Sequence, residues 1–229
     1  MSKENGVVIT SAVRTAIGDL GGSLKNVSAH KLGSTAISSA IEKSNIKASD
    51  INEIIMGQVL TGGAGQNPAR QAAMDAGIPK ETPSYVVNQV CGSGLRSIAS
   101  GYHSILSGNS NIVLAGGQES MSQSPHVVHL RNGKKLGDTS LVDSMIKDGL
   151  WDAFNGYHMG ITAENVAQKF QVTRKDQDKF AFDSQTKALK AQKENKFDDE
   201  IIPYTIQLKK GTAVFKKDEH PREGISMEA

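Results

Sequence analysis

From Gly6 to about Gly117, short β-branched runs alternate with stretches in which apolar residues recur at helical spacing. That alternation is the rhythm of a parallel sheet wrapped by helices. The runs read as strands over Val7 to Val13, Glu53 to Leu60, Ser84 to Val90 and Asn111 to Ala115. Between the first two, Ser28 stands as an N-cap, and Leu32, Ala36, Ala40 and Ile41 fall on one face of a helix. A shorter helix opens at Asn67-Pro68, with Asn as cap and Pro at the first helical position, and closes at Gly77. After Cys91, the residues Leu95, Ile98, Ala99, Tyr102 and Ile105 lie at i, i+3, i+4, i+7 and i+10, which predicts a helix stopping near Gly108.

Beyond Gly117 the pattern changes. The stretch "GGQESMSQSPHVVHLRNGKKLGD" has no helical period, but Asn132-Gly133 between "HVVHL" and "KKLGD" is a hairpin signal, because both residues tolerate positive φ. Two helices follow: one carries Ala163, Val166, Ala167 and Phe170 on a face, and one starts from a Thr173 cap with Asp176 three residues on. The remainder, "FDDEIIPYTIQLKKGTAVFKKDEHPREG", reads as short strands in a charged surround.

Composition narrows the chemistry. The chain has 229 residues, 38% of them hydrophobic, enough for a sizeable core. Its 26 basic and 24 acidic residues leave a formal charge of +2, spread along the chain, which argues against a nucleic-acid or anionic-membrane partner. No apolar stretch approaches the roughly 18 residues of a membrane span, and the start lacks a signal-peptide core, so a cytoplasmic location is expected. There is a single cysteine, hence no internal disulfide. His126 and His129 are close in sequence, but on a strand that spacing points to opposite faces, and no metal site is expected.

The lone thiol, in "SYVVNQVCGSGLR", sits where a strand runs into two glycines and then a helix. Open α/β sheets bind ligands at the carboxyl ends of their strands. Unpaired N–H groups of a first helical turn and the helix dipole favour a thiolate there, so a depressed pKa is expected for Cys91. Gly92 and Gly94 clear side chains from that turn, letting an acyl group approach and leaving main-chain N–H donors for an oxyanion. A buried, inert cysteine is the alternative that spacing alone leaves open.

"NQVCGSGLRSI" resembles the nucleophile motif of the thiolase family, and "NGYHMGITAENVA" (155–167) resembles a segment of its biosynthetic branch. "VRTAIGDLGGSL", "GGQESMSQSPH" and "MIKDGLWDAF" are similar to that family as well, so the resemblance runs over essentially the whole chain. It implies an α/β, layered αβα fold, with an incomplete N-terminal core half over 1–118 carrying the nucleophile. An α+β loop domain covering coenzyme A would follow over 119–229. The implied activity is acetyl-CoA C-acetyltransferase, condensing two acetyl-CoA to acetoacetyl-CoA and CoA, reversibly, by ping-pong covalent catalysis through acetyl-Cys91. The Cys91 N–H would supply half of an oxyanion hole.

By the same resemblance Leu150, His158 and Met159 line a pantetheine tunnel and Arg222 lies on the nucleotide side. Read without it, Leu150 and Met159 are core candidates, His158 is a loop histidine and Arg222 a solvated residue. Coenzyme A thioester is substrate and no cofactor is implied. The Asn132-Gly133 hairpin resembles the family's tetramerisation loop, implying a homotetramer, a dimer of dimers.

The family's Asn-Glu-Ala-Phe and Gly-His-Pro motifs and its second reactive cysteine have no match, and "EHP" (219–221) is no substitute. The chain by itself is therefore expected not to turn over. Two other readings stay in view: a non-catalytic acyl-CoA-binding or assembly module, and another thiolase-fold condensing enzyme such as a ketoacyl synthase.

Overall fold

The computed structural model describes residues 6–227. Its centre is strand β2 (Glu53–Gly57), in which Ile54 and Ile55 are fully buried and Met56 nearly so. Successive strand residues point to opposite faces, so β2 must be covered on both sides. It is flanked in parallel by β3 (Ser84–Val87) and β4 (Val113–Gly117), in the order β3-β2-β4. Register pairs Ile55 with Tyr85 on one side and with Ala115 on the other.

Helices α1 (Ala29–Ser44) and α2 (Pro68–Asp75) cover one face, where Ile37, Ile51, Ala69, Ala72, Ala73 and Ile78 close on Ile54 and Met56. Asn67 caps α2 as its sequence suggests: its Oδ1 accepts from the Arg70 N–H at 3.1 Å, and Pro68 follows. Ser28 takes the extended N-cap backbone of α1 but makes no side-chain cap bond. Gly77, at φ +78°, turns the chain after α2.

Helix α3 (Ser93–Leu106) covers the other face, that of Ile55 and Gly57. The helix forms as its periodicity predicts, yet its apolar stripe is not what it sets on the sheet. Its buried residues are Ser93, Ser97 and Gly101, while Leu95, Ile98, Tyr102 and Leu106 are exposed, Leu95 at 75%. Small residues allow close approach: Ser97 Oγ donates to the Gly116 carbonyl at 2.6 Å, and a Cβ on Gly101 would lie 2.9 Å from Val113 Cγ1.

The expected strand over Val7 to Val13 does not join this sheet. Only Arg14–Thr15 (β1) pairs, in parallel, with Ile201–Ile202 (β7). Val8 and Ile9 are exposed, and the preceding segment is held by hydroxyls instead: Thr10 Oγ1 to Ser44 Oγ, and Ser11 Oγ to the Ala40 carbonyl. The expected hairpin also forms differently. Gly133 turns at φ +70°, but β5 (His126–Val127) pairs antiparallel with β6 (Val142–Asp143), leaving "KKLGD" unpaired in the loop between them. His126 thus lies in β5 opposite Asp143, and His129 lies in the loop.

Past β6 come a π-helical turn (Met145–Leu150), α4 (Met159–Phe170) and α5 (Arg174–Lys193); neither α-helix has a buried residue. Thr173 caps α5 reciprocally with Asp176, as its sequence predicts. The hairpin of β8 (Tyr204–Gln207) and β9 (Thr212–Phe215) returns to the start of the chain, where Phe215 shares a second core with Ala16, Leu24 and Val27. A polar clasp reinforces that return. Arg14 binds Glu200 at 2.6 Å and Asp218 at 2.8 Å, while Glu219 accepts from Asp19 N–H, Ser23 N–H and Ser23 Oγ.

Candidate active site

Two of the three parallel strands end in glycine, Gly57 in β2 and Gly117 in β4, and α3 begins directly above them. A Cβ on Gly57 would lie 2.3 Å from the Ser93 carbonyl carbon and 2.4 Å from the Gly94 nitrogen, and one on Gly117 would lie 3.2 Å from Gly94 Cα. Three glycines therefore let the first turn of α3 rest on strand backbone. Gly94 serves this approach; the need for Gly57 and Gly117 was not read from the sequence, though a glycine ending each of two adjacent parallel strands is its signal.

Cys91 follows β3 and precedes α3, and it is exposed. The strand ends at Val87 rather than Val90, because Asn88 to Gly92 form a turn. Within it the Gly92 N–H donates to the Gln89 carbonyl at 3.1 Å and the Ser93 N–H to the Val90 carbonyl at 3.0 Å. Those two donors close the turn, so Gly92 does not offer its N–H to an oxyanion as expected. Val90 stands at φ +49°. A β-branched residue in the left-handed region carries about 1–3 kcal/mol of strain.

Behind the turn the ends of β2 and β4 are tied together. The Glu119 carboxylate accepts from the Val59 N–H at 2.8 Å and the Leu60 N–H at 3.3 Å. Burial pushes the Glu119 pKa above its ordinary value, and the hydrogen bonds from Val59, Leu60 and Ser120 only partly oppose this. Beside it, buried Gln118 donates to the Gln58 Oε1 at 2.8 Å, and Gln58 donates to the Leu60 carbonyl at 3.0 Å. An open recess of about 320 Å³, lined by residues including Gln58, Thr61, Asn67 and Asn88, lies next to the Cys91 turn through Asn88.

The coenzyme A candidates fall in two places. Leu150, half-buried, ends the π-helical turn, and that turn backs onto Leu60: a Cβ on Gly149 would lie 3.7 Å from Leu60 Cδ2. Trp151 and His158 bridge antiparallel, closing a loop organised by Asp152, which accepts from the Phe154 and Asn155 N–H groups. The Asn155 side chain, followed by those backbone N–H groups, holds the Asp152 pKa below its ordinary value. His158 is exposed and caps α4, its Nδ1 accepting from the Gly160 N–H at 3.0 Å. Nδ1 as acceptor leaves the proton of the neutral ring on Nε2, as a donor. Met159, the first residue of α4, is also exposed.

Arg222 lies apart, at the end of the clasp, where its N–H donates to Gln185 Oε1 of α5 at 2.9 Å. Its guanidinium makes no hydrogen bond or ion pair among the described residues, and none joins Arg222 or Cys91 to Leu150, His158 or Met159. Among the described residues no group of three or more His, Cys, Asp or Glu gathers as a metal site, and no helix is long and apolar enough to cross a membrane.

Residues 7–229 match the family model described as the thiolase N-terminal domain. The acetyl-CoA acetyltransferase of Rhizobium meliloti is 52% identical over 223 residues, which are 97% of this chain and 57% of that protein. The cytosolic acetyl-CoA acetyltransferase of Rattus norvegicus is 50% identical, again over 97% of this chain and 56% of its own length. The crystal structure of the Bacillus anthracis acetyl-CoA acetyltransferase superposes with a TM-score of 0.93 at 38% identity, over 96% of this chain and 56% of that one. The chain thus spans little more than half the length of these relatives, and it belongs to the thiolase family through that family's N-terminal domain.

Proposed function

We propose that the protein carrying this chain is an acetyl-CoA C-acetyltransferase and that Cys91 is its nucleophile. One observation carries the reading: an exposed thiol at the carboxyl edge of a parallel sheet, immediately before a helix whose first turn is cleared by glycines. The relatives named acetyl-CoA acetyltransferase support it at about half identity over nearly all of this chain.

The chain's own share is the first half-reaction. The Cys91 sulfur attacks the acetyl carbonyl carbon of acetyl-CoA, a C–S bond forms, the C–S bond to coenzyme A breaks, and coenzyme A leaves as its thiol with the proton given up by Cys91. One thioester replaces another, so little free energy separates the two sides. In the second half a second acetyl-CoA, deprotonated at its α-carbon, forms the C–C bond of acetoacetyl-CoA and releases the Cys91 thiolate. The Cys91 N–H supplies part of the oxyanion hole, a donor of a kind whose removal costs about 10²–10³ in rate. Gly92 and Gly94 keep the approach bare.

Residues 119–229 act as the loop domain over coenzyme A, beside the core half 1–118. Leu150 and Met159 offer apolar walls to the pantetheine arm, His158 offers its Nε2–H, and Arg222, whose guanidinium has no partner among the described residues, takes the phosphates or adenine. The chemistry asks for no metal or cofactor. The hairpin around Gly133 pairs copies into a homotetramer, and the location is cytoplasmic, in line with the relative named cytosolic.

Incubation with acetyl-CoA followed by peptide mass spectrometry tests the reading. Acetyl on Cys91, absent from Cys91→Ala, is the expected result. Tight binding of acetyl-CoA without modification would favour a binding module instead, and acylation only from a carrier other than coenzyme A would favour a ketoacyl-synthase-like enzyme.

A further inference from the structure

The turn that presents Cys91 is held in a conformation its own residues do not favour. Val90, at φ +49°, occupies a region that β-branched side chains rarely adopt. Two side chains account for it. Ser93 Oγ donates to the Val90 carbonyl at 2.5 Å and accepts the Gln89 N–H at 2.8 Å, so one hydroxyl ties the peptide after the strained residue to the Asn88–Gln89 peptide two peptide bonds back along the chain. The Val90 N–H donates to Asn88 Oδ1 at 2.9 Å. Ser93 is itself buried and cannot retreat, since its carbonyl carbon sits against Gly57 of β2.

We propose that Ser93 and Asn88 are positioning residues that hold Val90 in the left-handed conformation and thereby set the direction in which Cys91 leaves the sheet edge. Their role is to keep the thiol where an acyl thioester meets it; neither touches substrate. What Cys91 does there rests on the acyl-transfer reading above, whereas how the turn is held does not.

The test is a double-mutant cycle in the full-length protein, since Val90→Gly removes the conformational penalty that the two side chains oppose. Two rates are read: single-turnover acetylation of Cys91 by acetyl-CoA, and alkylation of Cys91 by iodoacetamide as a function of pH. Ser93→Ala is expected to slow acetylation by about tenfold or more and to displace the alkylation profile. In the Val90→Gly background the same change is expected to cost less than about threefold, because the turn no longer needs holding. Asn88→Ala behaves in the same sense, and Asn88→Asp, which keeps the accepting oxygen, restores the rate.

An equal loss from Ser93→Ala in both backgrounds, or no loss in either, overturns the proposal. If Ser93→Ala does not fold, the exposed Asn88 variants carry the identical comparison. Wild-type protein that takes no acetyl group, with the alkylation cycle still non-additive, sinks the acyl-transfer reading and leaves this one standing; an acetylated protein with an additive cycle does the reverse.

Discussion

The sheet region and the region after Gly117 both carry amphipathic helices, yet only the first buries them. Helices α1 and α2 place Ile37, Ala69, Ala72 and Ala73 against β2, whereas no residue of α4 or α5 is more than partly buried, and Phe180 on α5 is 78% exposed. Helix α3 shows why the difference is not one of sequence pattern. It has a well-formed apolar stripe and lies on the sheet, but it meets the strands through Ser93, Ser97 and Gly101. What decides is how near the neighbouring backbone comes: where strands end in glycine a helix can approach main chain to main chain, and small residues face inward.

The largest expected effect breaks that approach. Gly57→Val drives a Cβ into the backbone of Ser93 and Gly94, which has no flexible end to yield. A loss of about 3 kcal/mol or more follows, lowering the thermal midpoint by about 6 °C or more and abolishing Cys91 acetylation. Ile54→Ala, in the shared core of α1 and α2, should cost about 2–5 kcal/mol in chemical denaturation, from lost burial and the cavity left behind.

The clasp should respond to pH. Burial alone would raise the Asp218 pKa, but the Arg14 guanidinium and the Ile17 N–H carry it below its ordinary value of 3.8. The Ser23 hydroxyl, aided by backbone N–H groups, does the same for Glu219, ordinarily 4.5. A depressed folded pKa means stabilisation that is complete above the ordinary value and lost as pH falls through the folded one. Thermal midpoints measured from pH 6 downwards should therefore drop below about pH 4.5. Asp218→Asn should cost about 1.5 kcal/mol at neutral pH and flatten that drop. The smallest effect belongs to the outer helices: Phe180→Ala should change stability by no more than about 0.5 kcal/mol, and a larger loss would contradict the exposure of α5.

Much of the local architecture was legible in the chain itself. The Asn67-Pro68 start, the Thr173–Asp176 box and the helix after Cys91 each depend on groups within a few residues of one another, which sequence spacing reports directly. The placement of a thiol between strand and helix is equally local, as is its setting beside Gly92. The Trp151–His158 bridge was not legible, because a single pairing between two loop residues leaves no periodic mark in the sequence.

Other features arise only when distant segments meet. Val7 to Val13 has the composition of a strand, but pairing needs a free neighbouring edge, and the chain finds one only at Arg14–Thr15, with Ile201–Ile202. The return partner of β5 is Val142–Asp143 rather than the nearer run, and the left-handed Val90 is held by side chains and by a helix end pinned on β2. The amino-acid sequence by itself determined where helices begin, where turns fall and that the single thiol stands between a strand and a helix, since these follow from short-range sterics and hydrogen bonding. Tertiary structure alone decided which face each helix buries, which strands pair and how the thiol is aimed, because those depend on the distance between backbones far apart along the chain.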